Sequence, residues 1–307
     1  MPQGYVGPLS HAFRYVTVDM LRAEGISADV IPDDRARDMI SLVSNWINWL
    51  TQQWFVPVRV KAKVEGRGCA IAHLPNFVPI LDFFSLHLAK DNLFDIVMPD
   101  ISYVVKERTV QMVSYGARLP INPRFVTLDG VFGWVEDDFY PIRTTLSAAV
   151  SPGDATIPLT SVAGIKPGDV VLIGRDAYPK SEAILVDAIR GNNLITEPIR
   201  CTCLAGEPAV RYGVVPRPIQ YATMLLVRDK RVPIGLRGTD MDTDNPRWFA
   251  ERLQSESVEG YSYSLAQLPT MYGFAGGGWT TGNPEADDLL QQYACPNLYI
   301  GSTAGGL

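Results

Sequence analysis

The sequence predicts an α+β protein: a small α-helical bundle formed by the N- and C-terminal segments, with a large inserted β-sandwich or barrel region. Two patterns and the composition carry that expectation. Apolar residues recur at steps of three and four between Asp33 and Trp54, and again after Pro218, the period of a helix with one buried face. Between Val58 and Tyr212 that period is almost absent, and short apolar runs alternate with Gly, Pro, Asn and Asp turn signals, as in all-β regions. A composition of 47% hydrophobic and 20% charged residues over 307 positions suits packed domains and argues against wholesale disorder. The expected division is 1–57 with 213–307 for the helical core and its C-terminal arm, 58–143 for a β-rich insert, and 144–212 for a smaller barrel-like insert.

In chain order, residues 1–15 read as an extended arm. Val16 to Glu24 is a short helix that Thr17 can cap and Gly25 ends. The long helix follows, with Met39, Ile40, Val43, Trp46, Ile47, Leu50 and Trp54 on one stripe. Asp33 and Asp34 suit its start, where free N–H groups and the dipole favour anions, and Pro57 stops it. Its tryptophans imply a large buried face. Polar Asn45, Asn48, Gln52 and Gln53 complete the turns, so it is no membrane span.

Val58, Val60, Ala62 and Val64 alternate with Arg59, Lys61 and Lys63, a half-buried strand. Further strands are expected at Cys69–Leu74, Leu81–Leu88, Phe94–Met98, Ser102–Lys106, Thr109–Ser114, Phe125–Leu128 and Val131–Val135, with Asp129-Gly130 as a hairpin turn between the last two. Within 144–212, Ser151-Pro-Gly-Asp and Lys166-Pro-Gly-Asp are tight turns. Ile157, Leu159 and Val170–Ile173 are strand residues. Ala183–Ala188 and Leu194–Thr196 form a hairpin around Gly191-Asn192-Asn193, and Ala209–Tyr212 closes the unit. Helix returns at Pro218, with Ile219, Ala222, Thr223, Leu225 and Leu226 forming an apolar stripe. Residues 233–245 read as a polar loop, 246–253 as a short helix, SESVEGYSYSL as an extended piece, and 273–282 as flexible. A last helix starts with Asn283 as cap and Pro284 in first position, with Leu289, Leu290 and Tyr293 inward. The predicted bundle core is therefore Val43, Trp46, Ile47, Leu50 and Trp54 against Ala222, Leu226, Leu289 and Leu290.

Chemistry is sparse. A net charge of −6 argues against a general nucleic-acid binder, which needs a basic surface to displace counterions. The N-terminal stretch has neither a basic nor an apolar signal region. Cys69, Cys201, Cys203 and Cys295 are scattered like reduced thiols, and Cys201-Thr-Cys203 places two thiols on one side of a strand without the further ligands zinc needs. His11, His73 and His87 fall in no catalytic motif. Glu136-Asp137-Asp138 reads as solvated surface, and Asp33-Asp34 and Asp287-Asp288 as helix starts. Asp240, Asp242 and Asp244 have the alternation of a calcium loop but lack its Gly and closing Glu. No phosphate loop follows Gly174. Arg228, Lys230 and Arg231 suit a helix C-terminus. No catalytic, cofactor or metal site is expected.

Three segments in order carry a resemblance. The first is VTVDMLRAEG followed by DDRARDMISLVSNWINWLTQQWFVP; the second is RPIQYATMLLV; the third is SESVEGYSYSL followed by NPEADDLLQQYA. Together they resemble the head–tail connector (adaptor) proteins of tailed bacteriophages, and LDGVFGWVEDD and SAAVSPGDATIPLTSVAGIKPGDVVLIG resemble the β insert of longer members. The resemblance implies a non-enzymatic virion protein of the neck, assembled in the host cytoplasm. It implies a homo-oligomeric ring, usually of twelve copies, under the portal. Such a ring extends the channel through which double-stranded DNA passes without specific binding, and it seats the next neck or tail protein. It also implies a C-terminal tail that docks into the portal, here Asn297, Leu298, Tyr299, Ile300 and Gly301. Cofactors and membranes have no part in it. Another virion β-module protein, such as a collar, tail-tube or glycan-binding component, is the second reading, and a carboxylate hydrolase the third.

Overall fold

The computed structural model describes residues 13–51, 53–64, 71–73, 79–90, 94–98, 103–106, 109–112, 126–136, 141–176, 180–229, 255–258, 261–264, 281 and 283–293. The chain contains both helices and antiparallel sheets, and it divides into two compact units.

One unit takes residues 11–50 and 217–291. Helix α1 (Val18–Ala23) starts at Thr17, whose hydroxyl accepts from the Met20 amide at 3.2 Å. Arg22 ties the following turn to the next helix: it donates to the carbonyls of Ile26 at 2.6 Å and Ile31 at 2.8 Å, and pairs with Asp33. Helix α2 (Asp33–Thr51) buries Ala36, Met39, Ile40, Val43, Trp46, Ile47 and Leu50, the stripe its period predicts.

Two features of this unit depart from the sequence expectation. Trp49 is 55% exposed, and Trp54 lies beyond the last helical residue, so the tryptophans do not share one helix face. The segment before α1 is more than an arm. Tyr15 is fully buried, its amide donating to Ser44 Oγ at 3.2 Å and its hydroxyl to Asn48. Asn48 and Ser44 thereby become partners of a buried aromatic, where the period alone reads them as polar fill.

Helix α3 (Arg217–Arg228) begins one residue before Pro218 and buries Ile219, Ala222, Leu225 and Leu226. The Thr223 hydroxyl donates to the Ile219 carbonyl at 2.7 Å, which satisfies a polar group inside the apolar face. Helix α4 (Pro284–Gln291) packs on α3. Asn283 caps it as expected, accepting from the Ala286 amide at 3.1 Å, while its own amide group donates to Asp229 at 2.7 Å. Ala222, Leu226 and Leu290 are buried, and Leu289 is half-buried. The extended piece near residue 260 is a two-stranded hairpin, β14 (Ser255–Val258) with β15 (Tyr261–Ser264).

The described residues of the other unit lie within 51–216 and at 292–293. Strands β1 (Val58–Val64), β3 (Ile80–Lys90), β4 (Phe94–Val97) and β7 (Val126–Phe132) form a four-stranded antiparallel sheet in the order β1-β7-β3-β4. Strands β2 (Ile71–His73), β5 (Tyr103–Lys106) and β6 (Thr109–Met112) form a second, in the order β2-β6-β5.

The expected hairpin at Asp129-Gly130 is not there. Both residues lie inside β7, which runs unbroken between β1 and β3, with Asp129 opposite Lys61 and Gly130 opposite Val60. The physical reason is local. Asp129 is held by cations on the adjacent strand, 3.9 Å from both Arg59 and Lys61. At Gly130 a Cβ would sit 2.6 Å from the Asp82 carbonyl, so the glycine serves close backbone approach rather than a turn. β7 ends at Phe132, and the next residue, Gly133, has a φ of +156° and a close approach to the Val56 carbonyl that both demand glycine.

The remaining strands are β8 (Ile142–Thr145), β9 (Thr156–Pro158), β10 (Asp169–Ile173), β11 (Glu182–Arg190), β12 (Asn193–Thr196) and β13 (Pro208–Val214), in the order β8-β13-β10-β11-β12-β9. The edges of this six-stranded sheet meet. The Thr160 amide donates to the Thr145 carbonyl at 2.9 Å, the Ser147 amide to Pro158 at 3.0 Å, and Leu146 bridges Leu159. The small insert is therefore a closed barrel, which removes the exposed edges an open sheet would leave. Its core holds Val171, Ile173, Ile184, Val186 and Leu194 with Cys201 and Cys203. Each fully buried aliphatic side chain contributes roughly 1.5–3 kcal/mol.

Candidate functional site: the seat of Tyr293

The described chain ends at Tyr293, and the surroundings of that residue are built from three separate stretches. Trp54 and Phe55 follow the end of α2 and are buried. The Trp134 amide, just past Gly133, donates to the Trp54 carbonyl at 2.6 Å. This brings Trp134 beside Phe55, and Tyr293 meets both rings edge-on, at 5.3 Å from Phe55 and 5.8 Å from Trp134. Such T-shaped pairs put a positive ring edge on a negative ring face. Gln53 Nε2 donates to the Tyr293 carbonyl at 2.6 Å, and the Tyr293 hydroxyl donates to Glu136 Oε1 at 3.3 Å. Glu136 is itself fixed by main-chain bonds to Val214, at 2.9 and 2.8 Å. Burial, followed by the charge and hydrogen bond of Glu136, pushes the Tyr293 phenol up to about 12. The arrangement grips one aromatic residue at the point where the chain runs on toward its C-terminus.

A second polar node lies between the four-stranded sheet and the barrel. Asp82, on β3, receives a hydrogen bond from Arg143 of β8 and one at 3.2 Å from the Tyr212 hydroxyl of β13. The Asp82 carboxylate raises the Arg143 pKa through its hydrogen bond. Burial first, and then Asp82, raise that of Tyr212. Val131, Leu172, Val210 and Tyr212 form an apolar cluster at the same junction. Arg59 stacks on the Phe84 ring at 4.3 Å and donates to the Arg175 carbonyl. Sequence reading missed this node, because contacts between residues as distant as Asp82 and Tyr212 leave no spacing to recognise.

The residues predicted for portal docking, Asn297, Leu298, Tyr299, Ile300 and Gly301, lie outside the described residues. So do His11, Asp137, Asp138, Asp240, Asp242, Asp244, Lys230 and Arg231. Of the predicted bundle core, Val43, Trp46, Ile47, Leu50, Ala222, Leu226 and Leu290 are buried in the unit that holds the helices, whereas Trp54 is buried in the unit that holds the sheets. His87 shares a 2.7 Å hydrogen bond with Ser85 on its own strand. Asp33 pairs with Arg22, which lowers its pKa mainly through the hydrogen bond. Asp287 is buried and accepts from the Thr281 amide at 2.6 Å, a structural role.

Cys201 and Cys203 sit outside any strand, with sulfurs 3.4 Å apart, and both are reduced and buried. The hydrogen bond to Cys203 and then burial push the Cys201 thiol far up. Among the described residues no group of three or more His, Cys, Asp and Glu is placed to hold a metal ion, and no helix is long and apolar enough to cross a membrane. No family model matches the sequence, and no characterised protein shows significant similarity to it.

Proposed function

We propose that the chain is a structural virion protein of a tailed bacteriophage, a head–tail connector or adaptor that forms a ring under the portal. It extends the DNA channel and seats the next neck or tail protein. The observation that carries this reading is the grouping of residues 11–50 with 217–291 in one compact unit, while the described residues from 58 to 214 form only β-strands and their connections. A helical bundle closed by the two ends of the chain, with a β excursion between them, is the architecture a connector needs. In this reading the buried stripe of α2 and the packed pair α3 and α4 contribute the bundle's core. The grip on Tyr293 supports the reading from a second side, since it fixes the point from which the arm carrying Asn297–Gly301 continues. A net charge of −6 suits a wall that repels phosphates and lets DNA slide. The partners are then other copies of the chain, usually twelve to a ring, the portal protein and the downstream neck component. Neither cofactor nor membrane takes part, and the protein resides in the virion neck.

Truncation after Ala294 tests the proposal. The truncated protein should keep the urea midpoint of the full chain yet fail to join heads to tails in an assembly assay. Unimpaired joining by a folded, truncated protein sinks the docking role, and neck microscopy that places the chain far from the portal vertex sinks the connector reading. The closed barrel favours one alternative, a collar, tail-tube or glycan-binding component. Specific signals on a carbohydrate array, together with a location away from the portal, would establish it.

A further inference from the structure

We propose that Cys201 and Cys203 form a redox site, a dithiol that closes into an intramolecular disulfide when a low-molecular-weight disulfide is the oxidant. The geometry carries the inference. The Sγ atoms are 3.4 Å apart, and they need only close to about 2.05 Å to bond. The backbone that presents them is pinned at both ends. Glu182 Oε2 accepts from the amides of Arg200 at 2.7 Å and Cys201 at 3.1 Å. Cys203 exchanges main-chain hydrogen bonds with Val150, at 2.9 and 3.0 Å. Between these anchors only Thr202 intervenes, and the two thiols face each other in the barrel core.

The chemistry balances with the small disulfide alone. The Cys201 thiolate attacks one sulfur of the oxidant, forming a mixed disulfide and expelling a small thiolate. Cys203, after losing its proton, then attacks the Cys201 sulfur and expels the second. Two electrons and two protons leave the pair, and two small thiols are produced. Cys201 keeps 5% exposure and Cys203 none, so the small disulfide reaches Cys201 first, where the raised pKa leaves little of the thiol as thiolate. Burial of the thiols makes the first step slow, so the pair persists as thiols in a reducing compartment and closes on long exposure to an oxidising one. Because the closed loop spans so few residues, the bond adds little to stability. Its effect is chemical, a change in what the barrel core presents to oxidants.

The test uses the native full-length chain, reduced and then incubated with oxidised glutathione at mildly alkaline pH, with alkylation of residual thiols before digestion. Cleavage after Arg200 and Arg211 isolates both cysteines in one peptide. The expected product is that peptide lighter by two hydrogens, unalkylated, and restored by a reductant. The proposal is overturned if both thiols are alkylated after a time in which the urea-unfolded chain has closed the bond. It is equally overturned if a glutathione adduct persists on either cysteine, or if the peptide is linked to a second chain. The readout does not depend on ring assembly, so its failure leaves the connector reading untouched.

Discussion

Gln53 donates a hydrogen bond from Nε2 to the main-chain oxygen of Tyr293, 2.6 Å away and 240 positions later in the chain. The ring of Tyr293 is held edge-on by Phe55 and Trp134, and its hydroxyl by Glu136. Tyr293→Phe removes the 3.3 Å hydroxyl bond and keeps the ring, so the expected loss is only about 0.5–1.5 kcal/mol. Tyr293→Ala removes both ring contacts as well, and the loss should rise to ~3–5 kcal/mol. Urea unfolding of the two variants checks the order. Equal losses would mean that the hydroxyl, rather than the ring, holds the seat.

The same residue makes stability depend on alkaline pH. The phenol is pushed up to about 12 in the folded protein, against about 10 in an unfolded chain. Its folded pKa is the higher one, so the folded state keeps the proton longer. The contribution is fully present below pH ~10 and is lost as pH rises through about 12. Tyr293→Phe has no phenol to ionise, and its stability should decline less steeply across that window than that of the unmodified chain. Tyr212, raised by burial and by Asp82, still contributes a slope in the variant, which should be reduced rather than abolished. Urea midpoints measured at steps of pH between those limits decide it.

Inside the barrel, Arg211 pairs with Asp169 at 2.9 Å, with side chains only 4% and 3% exposed. Asp169 also closes the Lys166-Pro-Gly turn, accepting from the Lys166 amide at 2.7 Å. Asp169→Ala leaves a buried guanidinium without its carboxylate, and a loss of ~3–5 kcal/mol is expected. Replacing both residues, Asp169→Leu with Arg211→Met, removes the stranded charge, and the double variant should be more stable than Asp169→Ala alone. Thermal unfolding of both proteins gives the comparison. A double variant less stable than the single one would show that the turn, not the charge, dominates.

Much of this architecture is legible in the sequence. Thr17 and Asn283 are read correctly as caps because a cap is a short-range signal. The pattern of Val58–Val64 marks a strand because alternation is local. Asp129-Gly130 misleads for the opposite reason. The dipeptide has the turn chemistry of a hairpin, yet in this chain cations on β1 and a carbonyl on β3 determine its use. Tyr293 reads correctly as inward, but its partners do not, and Tyr15 reads only as arm, since each is fixed by residues far away in the chain. The helical stripe of α2 was visible, but not that Trp49 points away from it.

Gly130→Ala tests whether close approach, rather than a turn, explains the glycine. The added Cβ would lie 2.6 Å from the Asp82 carbonyl, a main-chain atom that cannot step aside as a flexible side chain can. The sheet must open locally, and a destabilisation of roughly 1–3 kcal/mol is expected. Gly130 has no positive φ for alanine to strain, so a change within about 0.5 kcal/mol would show that close approach is not what the glycine serves. Denaturant unfolding measures the loss, and Gly153→Ala run beside it gives the cost of backbone strain without a clash, since φ there is +97° and a Cβ meets nothing within 4 Å.

The two tryptophans of α2 give the last test, one of what the helix contributes to folding. Trp46 is 7% exposed and sits with Val43, Ile47 and Leu50 on the buried stripe, whereas Trp49 is 55% exposed. Trp46→Ala opens a large cavity that neighbouring side chains fill only in part, and about 3–5 kcal/mol should be lost. Trp49→Ala removes a ring already half in water and introduces a better helix former, so the net change should stay within about 1 kcal/mol. Chemical denaturation, monitored by far-ultraviolet circular dichroism so that the lost indole does not bias the signal, measures both. A large loss at Trp49 would mean that this face of α2 is covered in the folded chain. The buried stripe would then be wider than the 3.6-residue period of Met39, Val43, Trp46 and Leu50 indicates.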